Sequence, residues 1–161
     1  MSRKLEIIVT VLFFSLISIS TSLFAEERFT DNGDGTVTDH QLGVMWAKTD
    51  NQGDITWRHA GQWVKFTFPY TLPKAYDNWR MPTTEELNSL LVKDKAYSGY
   101  ETDCGQRVRI VDSIRLTCGS VWSSDTSAIQ ARVFNFQRGI HYMDRMAHKR
   151  AYRALPVRDI E

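Results

Sequence analysis

Residues 77–91 read D-N-W-R-M-P-T-T-E-E-L-N-S-L-L, and few local structures fit that order. Pro82 disfavours helical backbone at Met81, so the chain enters the stretch extended. Thr83 then offers a hydroxyl just before a helix, and Glu86 three residues later completes a capping box. Leu87, Leu90 and Leu91 fall on one helical face, which predicts a helix over 84–92. Glu85 and Glu86 share its first turn, where carboxylates favour the positive end of the helix dipole. As neighbours on a helix they point in different directions, so capping accounts for them better than paired acid–base chemistry. A strand, a turn and an amphipathic helix in one short stretch favour a mixed α+β architecture.

Upstream, Arg3 and Lys4 precede an apolar run over residues 7–19, and residues 22–25 provide an exit ending in Ala25. That is the pattern of a signal peptide over residues 1–25. The run is shorter than the roughly 20 residues a bilayer-spanning helix needs, so no membrane span is expected after cleavage. Residues 26–161 then form one domain by length. Losing Arg3, Lys4 and Glu6 leaves 18 basic and 18 acidic side chains, a balance that argues against nucleic-acid binding. The signs are unevenly spread. Residues 26–103 hold 8 basic and 13 acidic side chains, and residues 104–161 hold 10 and 5.

The order of elements follows from periodicity and turn chemistry. R-F-T-D-N-G-D-G-T-V-T-D over 28–39 is a β-hairpin signature. Asp31, Asp34 and Asp39 invite comparison with a calcium loop, but Gly33 and Gly35 occupy the positions where an EF-hand needs oxygen ligands. Residues 42–46, L-G-V-M-W, suit a short buried strand. Thr56 is placed to cap a helix from Trp57 that ends before Pro69, with Trp57, Ala60, Val64 and Trp63 facing inward and His59 on the flank or at the cap. Downstream of residue 92 comes a long irregular segment, 93–119. Cys104 and Cys118 lie within it, and in an exported chain they pair naturally as a disulfide, worth about 3 kcal/mol in the loop-entropy account. Strands are expected at 121–124, 131–136 and 140–143, the last two joined by a turn at Arg138 and Gly139 with Val133 and Ile140 buried. A final strand over 151–157 carries Pro156, which places its end at a sheet edge. The whole reads as α+β: two helices on a mostly antiparallel, loop-rich sheet.

Chemistry-bearing clusters are sparse. His141, Asp144 and His148 have metal-compatible types, but the surrounding pattern is strand, turn and loop rather than a helix that would align them, and no metal is expected. Ser123 and Ser124 lie outside any G-x-S-x-G elbow, and no Gly-rich phosphate loop is present, so neither catalysis nor a cofactor is expected. Trp46, Trp57, Trp79 and Trp122 fall inside expected elements and read as core. Tyr97, Tyr100 and Tyr142 lie in or beside loops. The long segment, with Arg107, Arg109 and Arg115, is the leading ligand surface, and Tyr142 and Arg145 extend it into the basic C-terminal part.

Taken in order, several pieces resemble one family: F-T-D-N-G-D-G-T-V-T-D, L-G-V-M-W, T-W at 56–57, D-N-W-R-M-P-T-T-E-E-L, V-W-S-S at 121–124 and R-A-L-P-V-R at 153–158. It is the bacterial domain-of-unknown-function family that includes the C-terminal domain of the legionella collagen-like adhesin. The resemblance implies a C-type-lectin-like fold, related in architecture to the formylglycine-generating enzyme. It marks Trp79, Arg80, Pro82, Thr83 and Trp122 as structural signature. From the adhesin it also implies binding of sulfated glycosaminoglycans. Two departures stand out. Where members carry a Cys in the first helix and another in the closing strand, this chain has Gln62 or Trp63 and Leu155 or Pro156. The E-P-N or Q-P-D and W-N-D motifs of calcium-dependent lectins are absent. The expectation is an exported binding module, periplasmic or secreted, that contacts an anionic glycan or an envelope protein. The alternative is a non-catalytic structural or accessory subunit of a cell-surface assembly, and the third reading is an enzyme related to the formylglycine-generating fold, with Cys104 and Cys118 as its active-site pair.

Overall fold

The turn residues after Phe29 reverse the chain where their composition predicts. A computed structural model describes residues 27–160, and the expected leader over 1–25 lies outside them. Strands β1 (Phe29–Asp31) and β2 (Thr36–Asp39) pair antiparallel, Phe29 opposite Asp39, and β3 (Val44–Ala47) continues the meander. The aspartates between them serve the backbone: Asp31 accepts from the Gly33 N–H at 3.0 Å and Asp34 from the Thr36 N–H at 3.1 Å, while Asp39 is bound by Arg28 at 2.7 and 2.9 Å. Asp31 also pairs with Lys48, and Asp34 accepts from the Tyr76 hydroxyl at 2.6 Å, so each of the three carboxylates is engaged by protein groups.

Helix α1 (Trp57–Phe66) starts at Thr56, whose hydroxyl accepts from the His59 N–H and meets the His59 ring at 3.1 Å. Ala60 and Val64 are fully buried, and Trp57 and Trp63 are half-buried at the edge of the inward face. Helix α2 (Thr84–Ser89) has the predicted capping box, with both Thr83 and Glu86 in their reciprocal hydrogen bonds. It stops short of residue 92. Leu91 leaves the helix to pair with Ile110, and Val92 donates to the Arg109 carbonyl at 2.8 Å, so a sheet-like partner outcompetes the last helical turn.

Three ladders account for the strands. The first sheet has the order β1-β2-β3-β10, β10 being Val157–Asp159. The second runs β8-β7-β6-β9, with β6 (Ser120–Ser127), β7 (Gln130–Asn135), β8 (Ile140–Arg145) and β9 (Tyr152–Arg153). A short hairpin, β4 (Tyr100–Glu101) with β5 (Arg107–Val108), stands apart. Among these strands the pairings are antiparallel except β6 with β9. The expected strand over 151–157 is thus two strands serving two sheets. Ala154 and Leu155 between them are fully buried, and the Pro156 carbonyl accepts from Ala47 at 2.9 Å.

Residues 77–91 stitch the sheets together. Arg80 exchanges backbone hydrogen bonds with Val157 of β10 at 2.8 and 3.0 Å, and the Pro82 carbonyl accepts from Ser124 of β6 at 2.7 Å. Trp79 packs edge-on against Phe68, ring centroids 4.8 Å apart, in the 3-10 turn Phe68–Thr71. Trp46, Trp122, Phe134, Phe136, Leu87 and Leu90 fill the interior between the sheets. The long segment 93–119 contributes Val108, Ile110 and Ile114, all fully buried, so it is a wall of the core rather than a free loop. Cys104 and Cys118 are bonded, Cα atoms 5.3 Å apart. Ile140 is 47% exposed, against the expectation that it is buried: it begins β8, the outer strand of the second sheet. Among the described residues no helix is long and apolar enough to cross a membrane.

Candidate functional site

The β7–β8 turn carries Arg138 and Gly139, and its geometry is fixed from three sides. Asn135 accepts from the Arg138 N–H at 2.9 Å and from the Gly139 N–H at 2.8 Å, and its side-chain amide donates to Ser120 at 3.1 Å. Gly139 has φ of 67°, a left-handed backbone that glycine adopts freely. A Cβ there would also meet the Leu91 side chain at 3.0 Å, so the turn rests on the end of residues 77–91. Arg138 is held out into solvent as a result.

A groove of about 560 Å³ opens beside this turn on the face of the second sheet. Tyr142 and Ile140 of β8, 37% and 47% exposed, form its apolar part. Arg138 and Arg150 line it too, together with Gln106 and Gln137. Gln106 is oriented by the Gly119 N–H, which donates to its side-chain oxygen at 3.1 Å. Arg138 also borders a smaller adjoining cleft of about 210 Å³ with Lys93 and Arg109. Among the described residues, no carboxylate ion-pairs with Lys93, Arg138 or Arg150. These cations remain available to a ligand.

One carboxylate, Asp144, lies in the groove, and it is engaged from three directions. It accepts from the Tyr152 hydroxyl, from the Arg145 N–H at 2.8 Å and from His148 Nδ1 at 2.6 Å. Burial pushes its pKa up, but the Tyr152 hydroxyl, the Arg145 N–H and His148 together hold it below the ordinary carboxylate value. Burial and Asp144 in turn push the Tyr152 phenol well above its usual range. The net effect is a tether for the 146–151 loop, which delivers Arg150 to the groove and turns at Ala151 with φ of 51°.

The residues singled out from sequence are scattered. Tyr142 lies in the groove and Arg109 in the adjoining cleft. Arg109 donates to the Asp94 carbonyl. Arg107 is exposed on β5 and donates to the Gly99 carbonyl at 3.3 Å. Arg115 stacks on Tyr100 at 4.1 Å, a cation–π contact that occupies its guanidinium face. Arg145 is five strand residues from Ile140, about 17 Å along β8, so it stands at the far end from Arg138. Tyr97, pushed up to about 12 by burial and Asp112, donates to Asp112 at 2.6 Å instead of presenting a free ring edge. His141 and Asp144 project from opposite faces of β8, which separates the metal-compatible trio, and no group of three or more potential metal ligands forms among the described residues. Arg138, Arg150 and Gln137 also line the groove, and no sequence feature singles them out. The turn at Arg138 and Gly139 was legible, but only the fold brings the 146–151 loop beside it.

Of the structural signature, Trp79 and Trp122 are buried, and Trp122 donates to the Ile55 carbonyl at 2.9 Å. Arg80 makes a two-point pair with Glu86 at 2.7 and 2.9 Å and reaches Asp159 at 2.7 Å. The family model described as the Lcl C-terminal domain matches residues 35–158. No curated protein and no solved structure matches the chain.

Proposed function

We propose a function from one premise: the chain belongs to the Lcl C-terminal domain family. On this reading it is an exported, non-catalytic binding module with a C-type-lectin-like fold, adhesin-like in role, and its ligand is an anionic glycan. The observation that carries the reading is the groove around Arg138, where unpaired cations flank an exposed tyrosine and side-chain amides. Guanidinium forks suit sulfate and carboxylate groups, Tyr142 offers a face for a sugar ring, and Gln106 and Gln137 suit hydroxyls. The Cys104–Cys118 bridge supports an oxidising compartment. It also leaves neither sulfur free as a nucleophile, which weighs against chemistry of the formylglycine-generating type.

Titration of the purified protein with heparin and dextran sulfate tests this. Arg138→Glu is expected to weaken binding about tenfold or more, and Arg115→Glu only slightly, because Arg115 lies over Tyr100. Raising the salt from about 50 to about 200 mM should weaken wild-type binding, since exposed charges interact less as the Debye length shortens. Salt-independent binding, or equal losses for the two variants, would overturn the assignment.

A further inference from the structure

A second cleft, of about 850 Å³, lies away from the groove, where the end of α1 and the 3-10 turn meet residues 75–80. Its most prominent feature is Tyr70, 87% exposed. The ring is displayed by a rigid turn: Pro69 fixes the backbone, Tyr70 donates to the Thr67 carbonyl at 3.1 Å, and Thr71 closes on the Phe68 carbonyl at 2.7 Å. Phe68 anchors that turn between Trp63 and Trp79. Stacking on Tyr70 therefore costs little backbone ordering. Tyr76 is not equivalent, because Lys74 and Arg158 lie over its ring at 4.9 and 5.5 Å.

Polar groups of both signs line the same cleft. Asp77 is 86% exposed and meets Arg158 only at 3.8 Å, and Asp159 is 73% exposed beside Arg80. Lys65 closes one side. Asn78, between Asp77 and Trp79, is held at φ of 59°, an uncommon backbone for a residue other than glycine. The segment is fixed there because Arg158 donates to the Asp77 carbonyl at 2.9 Å and Trp79 to the Tyr76 carbonyl at 3.1 Å.

We infer that this cleft binds an uncharged sugar chain, with a pyranose ring stacked on Tyr70 and its hydroxyls held by Asp77 and Asn78. Mixed charges cancel, which selects against both polyanions and polycations. An aromatic face beside carboxylate and amide groups matches a ring with an apolar C–H face and a polar rim. This goes beyond the proposed anionic ligand and uses different residues.

Calorimetric titration of the full chain with maltohexaose, cellohexaose and mannohexaose, at about 150 and about 500 mM salt, tests it. One of these neutral probes is expected to bind, unaffected by salt. Tyr70→Ala should weaken that binding about tenfold, Tyr70→Phe should retain it, and Arg138→Glu should leave it unchanged. Thermal unfolding of Tyr70→Ala should match wild type, since the ring is exposed. The inference is overturned if none of the three binds at millimolar concentration, if Tyr70→Ala binds as wild type, or if a trilysine peptide binds and depends on Tyr70. A loss of neutral-sugar binding with heparin binding intact separates this site from the groove.

Discussion

Arg153 shows how one side chain holds distant segments together. It is buried on β9 and donates to Thr117 at 2.7 Å and to Asp54 at 2.7 Å, with Asp50 at 3.9 Å. Asp50 is fully buried as a side chain and accepts from Thr117 through both its N–H and its hydroxyl, at 2.7 and 2.9 Å. Burial outweighs those hydrogen bonds and pushes the Asp50 pKa up. Arg153→Met keeps the side-chain volume but leaves Asp50 buried without its cation. Breaking a buried pair from one side costs about 3–5 kcal/mol. The expected outcome is a loss of that order in urea unfolding, and a loss under about 1 kcal/mol would show that Thr117 and the Gln52 N–H, which donates to Asp50 at 2.8 Å, satisfy it without the cation. Nothing in the sequence signals this network, because its members at 50–54, 117 and 153 meet only through tertiary structure. The same separation hid Arg150 from any local reading, whereas Trp79 and Trp122 were legible as core from their element patterns.

At the scale of elements, the capping box on α2 was readable because its chemistry is local. Its length was not, because the competitor for Leu91 is Ile110, which no local pattern reveals. Glu86 ties the box to Arg80, and this gives it a pH signature. Burial raises the Glu86 pKa, but the Arg80 guanidinium and the Thr83 N–H overcome that and hold it below its ordinary 4.5. A folded value lower than the unfolded one means that the contribution is complete above about pH 4.5 and fades as the pH falls through the folded value. Glu86→Gln keeps an acceptor for the Thr83 N–H and loses the charge facing Arg80, so it should cost up to about 1 kcal/mol at pH 7, as a partly exposed ion pair does, and the gap from wild type should narrow toward about pH 3. Urea midpoints at both pH values measure it, and a gap that stays constant would show that charge is not what Glu86 supplies. The bridged segment 104–118 belongs to the same scale. Replacing both Cys104 and Cys118 by Ser should lower stability by about 3 kcal/mol, read from the same midpoints, because the unfolded chain regains the closed loop's freedom.

For the whole molecule, α+β class and antiparallel pairing were legible, but the division into two sheets was not. The reason lies in residues 151–159, a single extended segment that serves one sheet with Tyr152 and Arg153 and the other with Val157, Arg158 and Asp159. A local reading sees one strand where the fold uses a strap. If that strap couples the sheets, they unfold as one cooperative unit. Removing residues 156–161 strips β3 of its partner at Trp46, Met45 and Val44, and takes from Arg80 both its backbone hydrogen bonds and the Asp159 carboxylate. Each of those β3 residues is buried, so their exposure costs far more than a frayed end. The second sheet keeps its own ladder in that variant and loses only the strap. Native-state hydrogen exchange distinguishes the outcomes. In the intact protein the slowest amides of β2–β3 and of β6–β7 should exchange with the same opening free energy. In the shortened protein both sets should lose protection together, and protection retained in β6–β7 alone would show the second sheet to be independently stable.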